Sequence, residues 1–351
     1  MKIPAAKNIP ISPEDSLVLW ELPKAELHVH LEGSINPYVA VHLAERSGVA
    51  LDYQRFAARY NFRTFPKFLA LFKDVTSLLR NPEDYAGVAS IFGYLLDKTL
   101  YAEITLSAGV MLLRKQNVEK NFEAIQSALQ KSNYFNARVQ WIFDAVRQFG
   151  PEPAMEVARI AVKLQSSGVV AFGLGGNELS VPLTEFRRVY DYAAENGLHR
   201  VVHAGEVGGP DQVRDAINFL GAERIGHGTA AIRDTELMDL LAEKRIPLEV
   251  CPSSNVRTGA LAKQLGKKLA HVFDHPLPTF VRRGIPVTLA SDDPAMFHTS
   301  LYREFAIARA IGLEMKEVLK VARAGFECAF LPPPEKQPLL DHFDAKTKDI
   351  C

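Results

Sequence analysis

Histidine and acidic residues in four separate parts of the chain could together bind a metal ion. His28 and His30 form a His-x-His pair, and His203, His227 and Asp292 follow far along the chain, each at the end of a short strand-like run. Side chains alternate along a strand, so both imidazoles of the pair point to the same face. The later residues can complete a zinc coordination sphere. This pattern predicts a metal-dependent hydrolase.

Composition and charge exclude several other classes of protein. The 351 residues are 47% hydrophobic and 23% charged, and 41 basic residues balance 41 acidic ones. A net charge of zero gives no general attraction to nucleic acid or to an anionic membrane. No apolar run approaches the roughly 20 residues that span a bilayer. The first 14 residues contain three prolines and no apolar core, so we do not expect a secretory signal there.

The cysteines indicate a reducing compartment. Cys251, Cys328 and Cys351 are odd in number and show no Cys-x-x-Cys spacing. We therefore expect free thiols and a cytoplasmic protein, not a disulfide scaffold. Cys251 precedes a proline at the end of an apolar strand, but no Pro-Cys-x-x-Cys follows it, so it does not match the cytidine-deaminase zinc site. We interpret it as a small buried core residue.

The alternation of strands and helices predicts an α/β fold, a (β/α)₈ TIM barrel forming one domain over residues 1–351. Several of the predicted strands are continuous apolar runs, as expected for parallel strands buried on both faces. The eight strands are Ala25–Leu31, Ala102–Ser107, Ala137–Ala145, Val169–Leu174, His199–His203, Arg224–Gly226, Pro247–Cys251 and Pro286–Ala290. Helices are predicted at Pro153–Leu164, Thr184–Glu195 and Thr235–Glu243.

Two segments lie outside this repeat. Residues 35–100 are too long for a simple crossover and contain an apolar stripe at near-helical spacing, formed by Phe62, Phe65, Phe68, Leu69 and Phe72. The stripe fits either ordinary packing of a helix on the barrel or a helical lid over its mouth, because the loop after the first strand lies on the active-site face. The prolines at 332–334 predict an end to regular structure, with the tail running over the surface.

The topology of such a barrel would bring the candidate ligands together. His28 and His30 end the first predicted strand, His203 the fifth and His227 the sixth, and Asp292 follows the eighth. Catalytic groups of this fold gather at the carboxyl ends of different strands. A single histidine at a strand end is usually structural, but convergence of all of them at one rim predicts a site.

In sequence, the chain resembles the adenosine deaminase family of the amidohydrolase superfamily. The motifs appear in family order over residues 22–294 and are LPKAELHVHLEGS (22–34), GGNE (175–178), HAGE (203–206), RIGHG (224–228), CPSSN (251–255) and SDDP (291–294). Within the family, the chain is most similar to the bacterial branch close to aminodeoxyfutalosine deaminases. The resemblance implies a zinc-dependent enzyme that removes the 6-amino group of a purine.

The resemblance also implies a metal site and a proton donor. His28, His30, His203 and Asp292 would hold one Zn²⁺ per chain, with a water in the remaining position. Glu206 would lie beside the metal without binding it and would protonate N1 of the purine. A dry pocket favours the protonated carboxyl that this role needs.

Further positions would bind the substrate or orient the attacking water. His227 would orient the water, Asp293 would bind N7, and the Gly176 N–H would contact N3, since glycine lets the main chain come close to a ligand. His30 and Glu32 would face the N9 substituent, where Glu32 replaces the aspartate usual in adenosine deaminases. Glu32 has a second interpretation, in which it orients the His30 imidazole.

Several alternatives remain open at this point. The fourth strand ends without the lysine of two-metal hydrolases, which argues against that class. A non-catalytic binding protein on the same barrel remains an alternative, because fold alone does not set function. The resemblance implies a small aminopurine substrate, and adenosine, 6-amino-6-deoxyfutalosine and adenine all remain open. We expect no nucleic-acid or membrane partner, and the sequence leaves the oligomeric state open.

Overall fold

Eight parallel strands form the centre of the computed structural model, which describes residues 9–96, 98–131 and 137–350. They pair in sequence order from β1 to β8. Asp292, just beyond β8, forms main-chain hydrogen bonds with both histidines of β1. The His30 N–H donates to the Asp292 carbonyl at 2.9 Å, and the Asp292 N–H donates to the His28 carbonyl at 3.1 Å. The strands are β1 Lys24–His30, β2 Thr99–Leu106, β3 Arg138–Val146, β4 Val169–Gly175, β5 His199–Ala204, β6 Arg224–His227, β7 Leu248–Val250 and β8 Val287–Leu289. The predicted TIM barrel is confirmed, with each strand end within three residues of its predicted position.

Helices surround this barrel. The α-helices are α1 Pro13–Glu21, α2 Pro37–Arg46, α3 Tyr53–Ala58, α4 Phe65–Thr76, α5 Pro82–Phe92, α6 Ala108–Leu113, α7 Val118–Gln130, α8 Pro151–Lys163, α9 Arg187–Glu195, α10 Pro210–Leu220, α11 Thr235–Glu243, α12 Pro252–Arg257, α13 Ala260–Gln264, α14 Leu277–Arg282, α15 Pro294–Phe297, α16 Leu301–Ala310, α17 Met315–Glu327 and α18 Pro333–Thr347. Short 3₁₀ helices cover Glu32–Ser34, Gly93–Leu96, Arg147–Phe149, Gln165–Ser167, Leu183–Phe186, Thr229–Arg233 and Val272–Asp274.

The three helices predicted individually are present. The helix predicted at Thr235–Glu243 is α11, where Asp234 caps the amino terminus by accepting the Leu237 N–H at 2.9 Å. Pro153–Leu164 corresponds to α8. The segment Thr184–Glu195 starts as a 3₁₀ turn and becomes α-helical at Arg187.

The segment between β1 and β2 is helical, as the apolar stripe predicts. Phe62 and Phe68 are buried against Phe297, and their ring centroids lie 5.8 and 5.0 Å, respectively, from the centroid of the Phe297 ring. Phe72 on α4 instead lies 6.4 Å from the His30 ring. The stripe therefore packs against neighbouring aromatic residues and also forms part of the wall of the central cavity. Closure of this segment as a lid remains a prediction.

The prediction for the carboxyl-terminal segment is wrong. Regular structure does not end at the prolines, because Pro333 opens helix α18. Proline is tolerated in the first helical turn, where its missing N–H has no intrahelical partner to lose. Phe343 on this helix is buried and packs against Phe326 with centroids 5.7 Å apart. The segment thus docks on α17.

Other sequence predictions concern the cysteines and membrane segments. Cys251 is 1% exposed, which confirms it as a buried residue. Cys351 and residues 1–8 lie outside the described part of the chain. Within the described ranges, no helix combines the length and apolar character needed to cross a membrane.

Candidate active site

Four imidazoles and one carboxylate meet at the carboxyl ends of the strands. Ring centroids of His28 lie 5.5 Å from His30, 4.6 Å from His203 and 5.0 Å from His227. Asp292 Oδ1 lies 3.6 Å from His28 Nε2 and 3.5 Å from His30 Nε2. The structure therefore brings together all the residues that the sequence predicts as ligands.

The arrangement fits a tetrahedral zinc ion. Two ligand atoms that bind one zinc at roughly 2.0–2.1 Å lie roughly 3.3–3.4 Å apart, close to the separations of Asp292 from His28 and His30. His28 Nε2 is buried and has no hydrogen-bond partner among the described residues. The other ring nitrogen of His28 is held by Glu249 at 2.7 Å, and His203 Nδ1 donates to the Leu174 carbonyl at 3.2 Å. Metal-binding histidines typically have their second nitrogen held in this way.

Burial keeps three of the imidazoles neutral. It lowers the pKa of His203 well below its usual value, that of His30 to about 4 and that of His227 to about 3. Neutral imidazoles are the form that binds a metal. Burial also opposes protonation of His28, but the neighbouring carboxylates of Asp292 and Glu249 outweigh it and raise its pKa to about 10. His28 is thus the ring most strongly held by carboxylates.

A buried ion-pair network behind the site supports His28. Glu249 also accepts a hydrogen bond from Arg224 Nε at 2.6 Å, and the Arg224 guanidinium contacts Glu103. The same guanidinium lies 3.7 Å from the centre of the Phe330 ring. Glu249 and Glu103 were not among the residues predicted from the sequence, and Arg224 appears there only as the start of a strand and within the RIGHG motif, without a role. A charged residue within an apolar strand is a usable signal for all three.

Two site residues have strained backbones. His227 and Asp292 have φ angles of 63° and 61°, in the left-handed region that non-glycine residues rarely adopt. Such conformations cost about 1–3 kcal/mol each and persist where the surroundings enforce them. Gly226, beside His227, lets the His28 ring approach, because a Cβ there would lie 2.8 Å from His28 Cε1.

A buried carboxylate organises the turn that carries Glu206. Glu178 accepts main-chain N–H bonds from Gly205, Glu206 and Gly208 at 3.1, 2.9 and 2.7 Å. Gln264 donates to the carbonyls of Glu206 and Gly208 from the other side, both at 2.7 Å. Burial, together with the negative charges of Asp292 and Glu178, raises the pKa of Glu206 well above its usual value. Sequence analysis noted the motif containing Glu178 but gave that residue no role.

The remaining predicted residues fall into two groups. Asp293 and Gly176 line the same cavity as Glu206 and His227. Gly176 has a φ of 96°, and a Cβ there would lie 2.4 Å from Gln148 Oε1, so only glycine fits. Glu32 is 1% exposed, does not line the cavity and accepts the Ser107 N–H at 3.0 Å. Its contact with a substrate hydroxyl remains a prediction.

Asp144 is a cavity residue that sequence analysis missed. It lies on β3, is 6% exposed and lines the cavity, and its Oδ1 has no hydrogen-bond partner among the described residues. Burial raises its pKa to about 8. The signal in the sequence is a single acidic residue within an apolar strand.

The cavity above this cluster has a volume of about 510 Å³. The cluster residues in its lining are His30, His203, His227, Glu206 and Asp292. Its remaining wall is largely apolar and is formed by α4, α6, the end of β3 and the segment that follows it. The wall includes Phe65, Phe68, Leu69, Phe72, Val110, Leu113, Val146 and Phe149, with Lys73 and Arg114 also in the lining. The volume lies in the range of pockets that enclose whole small molecules.

The model of the family described as adenosine deaminase matches residues 23–346. The chain belongs to the adenosine deaminase family. With this family, it is a hydrolytic deaminase on a TIM barrel, as the sequence motifs predicted.

Relatives in the family carry two different names. The chain is 39% identical to the aminodeoxyfutalosine deaminase of Streptomyces coelicolor over 339 residues, which is 93% of this chain and 84% of the relative. It is 33% identical to the adenine deaminase of Rhizobium meliloti, covering 91% of this chain and 97% of the relative.

Solved structures agree on the fold. The adenine deaminase of Arthrobacter aurescens superposes with a TM-score of 0.84 at 29% identity, covering 93% of this chain and 99% of that structure. Arabidopsis ADAL complexed with IMP superposes with a TM-score of 0.82 at 26% identity, covering 94% and 98%.

The role of Glu178 in the turn gives a first prediction. Glu178→Gln replaces one acceptor oxygen with an amide donor, so at least one of the three N–H groups loses its partner. Leaving a buried N–H without a partner costs about 1–3 kcal/mol of stability. We expect kcat to fall by about tenfold or more, with metal content unchanged, because the Glu206 carboxyl is displaced. Glu185→Gln, at an exposed carboxylate nearby, is the matched control. Wild-type kcat in Glu178→Gln would contradict this role.

Proposed function

We propose that the protein is a zinc-dependent deaminase acting on an adenine that carries a large N9 substituent, with 6-amino-6-deoxyfutalosine as the foremost substrate. The observation that carries this proposal is a cavity of about 510 Å³ lined both by the imidazole–carboxylate cluster and by a largely apolar wall. Free adenine would fill only part of that volume.

His28, His30, His203 and Asp292 would hold the zinc ion. Zinc bound in such a set supplies a water of lowered pKa as nucleophile near neutral pH. Support comes from the separations between Asp292 and the two histidines of β1, and from the unpartnered Nε2 of His28.

The side chains around the cluster would activate the purine ring. Glu206 would donate a proton to N1 as water adds to C6, and its carboxylate would take back one proton of that water. The C6–N bond would then break as the second water proton passes to the amino group, which leaves a C6 carbonyl and releases ammonia. N7 is a hydrogen-bond acceptor, so Asp293 must carry a proton to bind it. Burial and the negative charge of Asp292 raise the pKa of Asp293 in the direction that this contact needs. The Gly176 N–H would donate to N3.

The N9 substituent would point toward the apolar wall. His30 and the Phe72 ring form the border between the cluster and that wall. Glu32 would act on the substituent through Ser107, which lines the cavity and donates its N–H to the Glu32 carboxylate. Adenosine would fit the same contacts with a shorter substituent.

Two kinds of relative give the second candidate function. Adenine deaminases match the chain at 32–33% identity, against 34–39% for aminodeoxyfutalosine deaminases. The cavity volume favours the substituted substrate. A panel of 6-amino-6-deoxyfutalosine, adenosine and adenine, followed by ammonia release, separates the candidates. We expect the highest kcat/KM for 6-amino-6-deoxyfutalosine, whereas a maximum with adenine would overturn the proposal.

The cations in the cavity lining give a further prediction. Lys73 and Arg114 would favour a substituent that carries negative charge. Lys73 is exposed, so Lys73→Gln removes one cation without disturbing the core. We expect kcat/KM for 6-amino-6-deoxyfutalosine to fall about two- to fivefold more than for adenosine. Lys67→Gln changes an exposed lysine of α4 outside the lining and is the control. Equal loss with both substrates would exclude recognition of charge.

A further inference from the structure

A buried amide lies directly behind His227. Asn255 is fully buried, and its Nδ2 lies 3.2 Å from His227 Nδ1. Its Oδ1 lies 3.0 Å from Thr229 Oγ1 and 3.2 Å from His275 Nε2. None of these three residues has a role in the chemistry proposed above. Asn255 contacts His227 Nδ1 directly, and Thr229 and His275 contact the oxygen of the same amide.

The hydrogen positions in this network follow from a main-chain contact. The Leu277 N–H donates to His275 Nδ1 at 3.1 Å. A main-chain N–H can only donate, so His275 Nδ1 is an acceptor and the proton of the neutral ring lies on Nε2. Burial and the neighbouring His227 ring lower the pKa of His275 to about 3, which keeps the ring neutral. His275 Nε2–H therefore donates to Asn255.

The same logic fixes the orientation of the amide. Asn255 Oδ1 accepts from His275, and it can also accept from the Thr229 hydroxyl. The amide nitrogen must then face His227, where it can only donate. A flipped amide would place its NH₂ group against the N–H of His275, with two donors facing each other in a buried site.

We propose that Asn255 and His275 are positioning residues that fix the proton of His227 on Nε2. His227 then donates a hydrogen bond from Nε2 to the attacking water and does not remove the proton of that water. This inference rests on the proposed deaminase function for the identity of the attacking water. The tautomer itself follows from the contacts of Asn255.

The surroundings of Nε2 agree with this role. Nε2 lies 3.7 Å from Glu206 Oε2 and 3.8 Å from Asp292 Oδ2, beyond direct hydrogen-bond distance. All three side chains line the cavity. The donor thus points into the space between the predicted proton donor and a predicted metal ligand, where an oxygen atom can accept its hydrogen bond.

Asn255→Asp tests the proposal. A carboxylate has no donor for His227 Nδ1, so we expect the proton to move to Nδ1. The ¹⁵N NMR signals of the His227 ring, recorded on metal-free and zinc-loaded protein, report the tautomer directly. We expect Nε2–H in the wild type and Nδ1–H in Asn255→Asp. We also expect kcat to fall by about 10²–10³-fold, as when one preorganised donor is lost, with zinc content retained.

Controls separate this role from a merely structural one. Asn117→Asp makes the same chemical change at the exposed amino-terminal cap of α7 and should leave kcat unchanged. A wild-type proton on Nδ1, or an Asn255→Asp variant with kcat within threefold of wild type, would overturn the inference. If Asn255→Asp does not fold, the wild-type spectrum decides alone. Absence of deaminase activity on every purine would overturn the proposed function and leave the tautomer measurement valid.

Discussion

Glu206→Gln is expected to lower kcat by about 10²–10⁴-fold on every substrate, because an amide keeps the shape of the side chain but cannot deliver a proton to N1. The variant should retain its metal, since Glu206 is not one of the proposed ligands. Its turn should also keep its structure, because Glu178 and Gln264 bind the main chain and not the Glu206 side chain.

Steady-state kinetics and metal analysis on the same samples check this prediction. A glutamine variant with kcat within tenfold of wild type would exclude Glu206 as the proton donor. Low kcat combined with lost metal would instead assign Glu206 to the coordination sphere.

The double variant His28→Ala, His30→Ala is expected to lose the metal and to lower kcat by more than Glu206→Gln does. It removes two of the four proposed ligands, and the nucleophile depends on the ion. The matched control is His42→Ala, His271→Ala, which removes two exposed imidazoles. Thermal unfolding of both proteins, with and without added zinc, separates loss of the metal from loss of the fold. Retention of one equivalent of metal in the first variant would contradict the ligand assignment.

The sequence predicted the barrel and the convergence of the site for one physical reason. Parallel strands place their carboxyl ends at one rim, so residues distant in sequence, such as His30 and His203, come together once the strands are identified. The strands themselves stand out because they are short apolar runs buried on both faces. Family motifs then supplied roles for Glu206 and Asp293.

The residues that hold the site histidines in place could not be predicted in the same way. Glu249 orients His28 from β7, and Asn255 contacts His227 from α12. These contacts depend on side-chain directions across the barrel, which spacing along one strand does not encode. Helix α18 was not predicted because prolines occur both in the first turn of a helix and just after a helix end, and the sequence alone does not distinguish the two. The burial of Phe343 shows that these prolines begin a helix.

The shape of the cavity was also beyond sequence analysis. The apolar stripe predicts that α4 has a buried face, but the same spacing fits packing on the barrel or a wall of the cavity. Phe68 does both, whereas Phe72 contacts the His30 ring. Substrate preference depends on this wall, so it can be argued only once the structure places α4 over the cluster.

The most direct test of a one-zinc deaminase is titration of metal-free protein with zinc while ammonia release from 6-amino-6-deoxyfutalosine is followed. We predict that activity rises linearly with added zinc and reaches its plateau at one equivalent per chain. A plateau near two equivalents, or full activity before any metal is added, would contradict the account.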